Sequence, residues 1–130
     1  NKLGISEFVH FVGKVLPSDI GKYYHLGEIF VSASISETQG LTFMEAMAAE
    51  RILLCRFDEG LVNVIKNGES GYFFNSEEDF GAMVDKIRGL PESKLKAIRK
   101  HANEIVDEYS NDHFVARCLH VYERAIRNNW

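Results

Sequence analysis

Two glutamates stand eight residues apart in a polar stretch of the chain, on either side of a glycine. Glu37 falls in a loop, and Glu45 falls early in the helix predicted to follow it. Gly40 lies between them and permits an unusual backbone angle or the close approach of a ligand. The backbone amides near Gly40, Leu41 and Thr42 are free at the start of this helix, and such amides bind phosphate groups.

A carboxylate on each side of a phosphate site suits a ligand with hydroxyl groups on both sides of a phosphate. A sugar nucleotide is such a ligand: Glu37 would accept hydrogen bonds from sugar hydroxyls, and Glu45 would accept them from the ribose diol. Pairs of glutamates at a given spacing are also common, and a glutamate in the first turn of a helix is ordinary compensation of the helix dipole. The spacing alone therefore leaves both interpretations open.

Short apolar runs predict the strands that must position these residues. Extended segments are predicted at residues 8–12, 29–33, 52–55 and 72–74. A helix is predicted to open at Pro17, and good helix formers predict a second one over residues 41–50. The loop with Asp58 and Glu59 follows the third strand, so we expect it at the same sheet edge as Glu37.

The last third of the chain is predicted to be helical. Helices are expected after Ser76, with Asp79 completing a capping pattern, after Pro91, and after a cap at Asn111 or Asp112. Each carries an apolar stripe that we expect to be buried. The stripes are Phe80, Met83, Val84 and Ile87; Leu95, Ile98, Ala102, Ile105 and Tyr109; and Phe114, Val115, Cys118, Leu119, Tyr122 and Ile126.

The order of these elements predicts an α/β fold. Alternating strands and helices with near-continuous apolar strands indicate a Rossmann-like parallel sheet with helices on both faces. Such sheets bind ligands at the carboxyl ends of their strands, which directs attention to the loop after Ala33. We expect residues 1–130 to form a single domain that is a fragment of a longer protein, because a second α/β lobe has no room here.

The composition excludes several classes of protein. With 45% hydrophobic and 12% aromatic residues, the chain can bury a core and is neither a disordered tail nor a coiled coil. Acidic residues number 19 against 15 basic ones, a net charge of −4 that argues against nucleic acid or an anionic membrane surface as partner. Asn1 is not followed by a secretory signal, and the apolar runs are too short to cross a bilayer, so we expect a cytoplasmic protein.

Metal and disulfide chemistry is not expected. The five histidines show no spacing typical of metal ligands. Cys55 and Cys118 lie far apart in apolar surroundings, which is typical of buried thiols in a reducing compartment.

Residues 37–48 resemble the Glu-x7-Glu signature of GT-B glycosyltransferases, in particular those of family 4, the group 1 transferases. Other segments resemble the same family in the same order along the chain. Phe11-Val12-Gly13 is similar to the strand and glycine before the family's nucleotide pocket. Residues 29–34 are similar to the strand that leads to the signature, and residues 65–72 resemble a later Asn-Gly-x-x-Gly turn.

The resemblance implies that the chain is the C-terminal, donor-binding lobe of a two-lobed enzyme. Glu37, the implied catalytic residue, would bind hydroxyls of the transferred sugar, and Glu45 would bind the ribose. The backbone of residues 40–42 would meet the distal phosphate, and residues just after the Phe-Val-Gly strand would line the base pocket. The implied donor-binding residues are therefore Gly13, Lys14, Glu37, Thr38, Gln39, Gly40, Leu41, Thr42 and Glu45.

The implied reaction is transfer of a sugar from a nucleoside diphosphate sugar with retention at the anomeric carbon. No metal cofactor is implied, since amides and basic side chains neutralise the leaving diphosphate. The run Ser-Glu-Thr-Gln-Gly-Leu-Thr is similar to bacterial transferases that act on glycolipids, wall polymers or surface proteins, which suggests UDP-glucose or a similar donor. The acceptor would bind an N-terminal lobe absent from this chain, and any membrane contact would lie in that lobe.

Two features depart from the family pattern. Glu50 and Ile52 stand where the family usually has glycine and proline, and Glu50 replaces a residue suited to a left-handed helix end. The family's diphosphate-binding Arg and Lys usually precede the Phe-Val-Gly strand, and Lys2 lies too close to Phe8 to be assigned that role. We therefore expect the isolated chain to be inactive in sugar transfer.

Two other interpretations were weighed against this one. A non-catalytic glycosyltransferase-like partner subunit is favoured by Glu50 and Ile52. The intact Glu37, Gly40 and Glu45 argue against it. A flavodoxin-like signalling domain would need an acidic pair near the start, an aspartate ending a central strand and a lysine ending a later strand, and the sequence does not show that set.

Overall fold

The computed structural model describes residues 3–36 and 40–127. Its centre is a parallel sheet with the strand order β1-β2-β3. The strands are β1 (Ile29–Ser32), β2 (Ile52–Arg56) and β3 (Tyr72–Phe74). The register places Ile29 beside Ile52 and Leu54 beside Tyr72. The predicted parallel α/β architecture is confirmed.

Five helices surround the sheet in the described part of the chain. They are α1 (Ile20–Tyr24), α2 (Leu41–Ala48), α3 (Glu77–Arg88), α4 (Glu92–Glu108) and α5 (Asn111–Arg127), and single 3-10 turns lie at Ser6–Phe8 and Glu59–Leu61. The predicted start of α3 is confirmed, because the Ser76 hydroxyl accepts a hydrogen bond from the Asp79 amide at 3.2 Å. Within residues 3–36 and 40–127, no helix is both long enough and apolar enough to cross a bilayer.

Alternate residues of β2 bury opposite faces of the sheet. Leu53 and Cys55 pack with residues of α2 and α4, whereas Ile52 and Leu54 pack with residues of α3 and the first half of α4. All four side chains are almost completely buried. Because both faces of the strand are covered, the sequence of β2 is a continuous apolar run and not an alternating one.

The strand predicted at residues 8–12 is not formed. The chain makes a 3-10 turn at Ser6–Phe8 and then continues without strand pairing to α1, and Phe11 is 95% exposed. A strand needs a hydrogen-bonded neighbour, and within the described residues β1 pairs with β2 alone. The prediction of a buried strand at residues 8–12 is therefore wrong.

The apolar stripe of α5 is exposed, although the helix itself forms as predicted. Leu119, Tyr122 and Ile126 are 55%, 66% and 77% exposed, and no residue of α5 is buried. The prediction that this stripe lies in the core is wrong, because within the described residues α5 packs chiefly against α4 and its apolar face stays exposed. The cap also differs from the prediction: the hydroxyl of Ser110 accepts from the His113 amide at 3.4 Å.

The end of α2 has a left-handed residue that is not glycine. Glu50 has φ +60°, and its amide donates to the Met47 carbonyl at 2.8 Å. The Arg51 amide donates to the Ala46 carbonyl at 2.9 Å, which completes a Schellman motif with Glu50 in the position that glycine favours. Glu50 therefore does stand at the left-handed helix end where the family usually has glycine, and a residue with a Cβ atom is strained in that conformation.

Candidate functional site

The start of α2 is set by a glycine that no other residue could replace without strain. Gly40 has φ +62° and is buried, and its carbonyl accepts from the amides of Phe43 at 3.0 Å and Met44 at 3.1 Å. A Cβ atom added to Gly40 would lie 3.1 Å from a ring carbon of Phe43. The chain can turn into α2 here only because this position has no side chain. Leu41 and Thr42 follow as exposed first-turn residues, where helical amides have no partner within the helix.

Glu45 lies in the second turn of α2, and its carboxylate is held by a tyrosine. The Tyr24 hydroxyl donates to Glu45 Oε2 at 2.9 Å. Burial of the phenol, this hydrogen bond and the negative charge of Glu45 together raise the pKa of Tyr24 to about 12. Tyr24 is thus a neutral hydrogen-bond donor at physiological pH.

Tyr24 is a residue that the sequence did not reveal as part of the site. In the sequence it is one of several apolar residues that follow Pro17, on the short helix α1. Its ring packs against Phe30 of β1 at a centroid distance of 5.7 Å. Its hydroxyl has a second role that no local pattern shows, because the partner carboxylate lies 21 residues further along the chain.

Three of the predicted site residues lie outside the described ranges. Glu37, Thr38 and Gln39 fall between the two described parts of the chain, so the roles expected of them stay predictions. The described residues on either side are Ser36, after the end of β1, and Gly40, at the start of α2. The described residues thus place the end of β1 before the gap and the start of α2 immediately after it.

A cleft of about 1090 Å³ lies beside the first turn of α2. One wall holds Gly40, Leu41 and Met44 of the α2 region. The other walls come from the segment after β2 and from the junction of α4 with α5, and include Gly60, Leu61, Asn63, Asn103, Asp107 and Ser110. The loop after β2 is thus close to the start of α2, as the sequence predicted, whereas the wall from α4 and α5 was not foreseen.

Asp58 has a local structural role in that loop. Its Oδ1 accepts from the Gly60 amide at 2.7 Å, which caps the 3-10 turn Glu59–Leu61. Leu61, at the end of this turn, is buried and lies within 3.5 Å of the Cβ position of Gly40. Asp58 therefore supports the wall that faces the start of α2.

Gly13 and Lys14 belong to a different part of the surface. Gly13 has φ +75°, and Lys14 lines a cleft of about 610 Å³ together with residues around the start of α1. In that cleft Lys22 Nζ lies 2.6 Å from Asp19 Oδ1. Among the described residues, this cleft and the larger one beside Gly40 share no lining residue, so the structure does not bring Lys14 and Gly40 together in one cleft.

No metal-binding cluster is found among residues 3–36 and 40–127, where no group of three histidine, cysteine or carboxylate side chains is suitably placed. Cys55 is buried in β2, as expected, whereas Cys118 on α5 is partly exposed. The candidate site therefore consists of the first turns of α2 with the cleft beside Gly40, and of the Tyr24–Glu45 pair, which does not line that cleft.

Comparison with known proteins identifies the family. The family model described as "Glycosyl transferases group 1" matches residues 1–109. The chain belongs to the group 1 glycosyltransferases. It is 32% identical over 124 residues to the alpha-monoglucosyldiacylglycerol synthase of Acholeplasma laidlawii, a match that covers 95% of this chain and 31% of that protein. The synthase of the same name from Streptococcus pneumoniae is 31% identical over 128 residues, covering 98% of this chain and 28% of that protein.

Solved structures of glycosyltransferases share the fold. A glycosyltransferase from Rickettsia africae superposes with a TM-score of 0.70 at 25% identity, over 85% of this chain and 31% of that one. The pneumococcal O-GlcNAc transferase in complex with UDP and GlcNAc gives a TM-score of 0.64 at 25% identity, over 82% of this chain and 23% of that one. The group 1 chain described here thus has the architecture of a GT-B domain, and it spans about a third of the length of the curated relatives.

Proposed function

We propose that this chain is the donor-binding domain of a retaining glycosyltransferase, which transfers a sugar from a nucleoside diphosphate sugar to a glycolipid, polysaccharide or protein. The observation that carries the proposal is the geometry of α2. A glycine in the left-handed conformation opens the helix, and a carboxylate held by Tyr24 follows in its second turn. The proposed phosphate site and the proposed hydroxyl-binding site would then lie on neighbouring turns of a single helix.

The start of α2 would bind the diphosphate. The amides of Leu41 and Thr42 and the positive end of the helix dipole favour negative charge at this point. When the bond between sugar and diphosphate breaks, negative charge grows on the leaving group, and donors already aimed at it stabilise that charge. In other phosphate chemistry a metal ion stabilises this charge. Here the amide donors would do so, and we propose that transfer needs no metal cofactor.

The two glutamates would bind the sugars at either end of the donor. Glu45 would accept hydrogen bonds from the ribose diol, and charge-assisted bonds of this kind are stronger than neutral ones. Glu37 would bind hydroxyls of the transferred sugar and would be the catalytic residue, with Thr38 and Gln39 completing the donor contacts. The cleft of about 1090 Å³ beside Gly40 has room for a ligand of this size.

We propose a UDP-sugar, such as UDP-glucose, as the donor. Two of the relatives are named monoglucosyldiacylglycerol synthases, and a glycosyltransferase of similar fold is described in complex with UDP. The complex with UDP supports a uridine donor, and the names of the two synthases support glucose as the transferred sugar and a lipid as the acceptor. The acceptor would bind a second lobe, which would also make any membrane contact, and the protein would act in the cytoplasm.

A second candidate function is that of a non-catalytic partner subunit with the same fold. Glu50 favours it, because a strained left-handed residue stands where the family usually has glycine, and such a departure is typical of a divergent copy. The two candidates differ in one simple property, since only a working transferase needs to bind its donor.

Ligand-observed saturation-transfer NMR tests the proposed site. UDP, GDP, UDP-glucose and UDP-N-acetylglucosamine are offered to this chain and to the longer protein that carries it. We expect saturation of uracil and ribose protons from the two uridine donors and from UDP, with none from GDP. Glu45→Gln should abolish it, whereas Glu123→Gln, which changes an exposed glutamate of α5 in the same way, should leave it intact. Silence from every nucleotide in the longer protein would favour the non-catalytic partner.

A further inference from the structure

The hydrogen bond between Tyr24 and Glu45 joins two elements that are far apart in the sequence. Glu45 is an exposed residue on a helix of eight residues, and an exposed glutamate side chain normally samples several rotamers. The Tyr24 hydroxyl occupies Oε2 at 2.9 Å and thereby limits those rotamers. Oε1 of the same carboxylate has no described partner within residues 3–36 and 40–127, and it can accept a hydrogen bond from a ligand.

The ring of Tyr24 is fixed by two further aromatic rings. It packs on Phe30 at 5.7 Å, and Phe30 packs edge-to-face on Phe43 at 5.8 Å. Phe43 is completely buried and belongs to α2, two residues before Glu45. The phenol is therefore held at both ends by the same helix: its ring through Phe30 and Phe43, and its hydroxyl through the carboxylate.

We propose that Tyr24 is a positioning residue for nucleotide binding, which orients the Glu45 carboxylate so that it accepts hydrogen bonds from the ribose hydroxyls of the donor. The inference rests on the proposed function of Glu45. Tyr24 itself does not touch the nucleotide in this arrangement. It acts by reducing the conformational freedom that Glu45 would otherwise lose on binding.

The phenol is suited to this role because it donates a hydrogen bond without carrying a charge. A neutral tyrosine hydroxyl donates to Oε2 and adds no positive charge beside the carboxylate, whose oxygens can still accept from the hydroxyls of a diol. A lysine in the same place would neutralise the charge that attracts those hydroxyls. Phenylalanine would preserve the ring packing and remove only the donated proton.

The test compares UDP with 2′,3′-dideoxyuridine diphosphate, which lacks both ribose hydroxyls. Calorimetric dissociation constants are measured for both nucleotides with the longer protein that carries this chain. We expect the unaltered protein to prefer UDP, and Glu45→Gln to reduce that preference to near unity. Tyr24→Phe should weaken UDP binding about five-fold, as expected for one hydrogen bond of about 1 kcal/mol, and should leave binding of the dideoxy nucleotide unchanged.

The matched control is Tyr122→Phe, which removes a hydroxyl from an exposed tyrosine of α5 and should keep the full preference for UDP. The double variant Tyr24→Phe/Glu45→Gln should bind UDP no more weakly than Glu45→Gln alone. Equal losses for both nucleotides in Tyr24→Phe would mean a merely structural role and would overturn the proposal. An undiminished preference for UDP in that variant would overturn it as well.

The outcomes also separate this inference from the proposed function. If the unaltered protein binds UDP and the dideoxy nucleotide equally, Glu45 does not bind ribose and the role of Tyr24 fails, while donor binding stands; if it binds neither nucleotide, the proposed function fails. If Glu45→Gln loses the preference and Tyr24→Phe keeps it, only the role of Tyr24 fails. Should Tyr24→Phe not fold, 3-fluorotyrosine at position 24 retains the hydroxyl, and its fluorine NMR signal should shift with UDP and not with the dideoxy nucleotide. Equal shifts with both nucleotides would again overturn the inference.

Discussion

The amide of Phe43 donates to the carbonyl of Gly40 at 3.0 Å while the Phe43 ring lies 3.1 Å from the point where a Cβ of residue 40 would stand. The same residue thus both begins the first turn of α2 and closes the space beside Gly40. Glycine is favoured here for two reasons, its left-handed backbone and its lack of a side chain that would press on the Phe43 ring.

Replacing Gly40 by alanine should therefore destabilise the fold. We expect Gly40→Ala to lower the free energy of unfolding by about 2 kcal/mol, since left-handed backbone strain and the ring contact add together. Urea unfolding followed by circular dichroism measures the change. Gly81→Ala is the matched control: this glycine lies in α3 with open space around its Cβ position, and alanine there should stabilise the protein by about 0.5 kcal/mol. Equal effects at both positions would contradict the account of Gly40.

At Glu50 the opposite change can be tested, in which a left-handed residue with a side chain is replaced by glycine. Glu50→Gly should raise the free energy of unfolding by about 1 kcal/mol, because glycine adopts φ +60° without the strain that a Cβ atom causes. The urea midpoint should rise with an unchanged m-value.

A second variant at this position separates strain from charge. Glu50→Ala removes the negative charge at the helix C-terminus and keeps the left-handed strain, so it should change the free energy of unfolding by only a few tenths of a kcal/mol. If alanine stabilises the protein as much as glycine does, the helix dipole and not the backbone explains the cost of Glu50.

The sequence predicted most of the structure around α2, because the signals there are local. The glycine, the run of helix formers and the strand before them all lie within a few residues of one another, and they fixed the start of α2 correctly. The non-glycine residue at the helix end was also visible, since the family pattern puts glycine at that place. The structure adds that Glu50 itself takes the left-handed φ, with the two hydrogen bonds of a Schellman motif around it.

The Tyr24–Glu45 pair and the exposure of α5 could not be predicted in the same way. A tyrosine on an apolar helix face indicates burial of its ring and says nothing about a hydroxyl partner 21 residues away. The stripe at Leu119, Tyr122 and Ile126 indicates that one face of α5 favours an apolar neighbour. Whether the described residues supply that neighbour is a property of the tertiary structure, and here they do not. The apolar run at residues 8–12 was wrongly predicted to be a strand for the same reason.

The stability of the protein at alkaline pH should depend on Tyr24. The pKa of Tyr24 is raised from 10.0 to about 12 in the folded protein, so the folded state holds this proton more tightly than the unfolded state. Its contribution to stability is therefore complete below pH 10 and is lost as the pH rises from 10 towards 12. Unfolding by urea at pH 8, 10 and 11 should show a smaller fall in stability for Tyr24→Phe than for the unaltered protein.

A control for this measurement is needed because the pKa of Tyr72 is also raised by burial. Tyr122→Phe should reproduce the alkaline fall of the unaltered protein, so the difference between the two variants isolates Tyr24. Absorbance of phenolate provides an independent check: the unaltered protein should show one more tyrosine titrating above pH 11 than Tyr24→Phe does. Identical absorbance changes above pH 11 would contradict the raised pKa that burial and the contact with Glu45 give Tyr24.

Sugar transfer should require more than these 130 residues. The proposed acceptor site lies in a second lobe, and a glycosyl group leaving an open donor site would meet water in place of the acceptor. We expect radiolabelled glucose from UDP-glucose to enter the lipid extract with the longer protein, and none to enter it with this chain alone at the same concentration. The longer protein with Glu37→Gln is the control for transfer at the proposed site, and it should be inactive. Labelled lipid formed by the 130-residue chain alone would contradict the assignment of donor and acceptor to separate lobes.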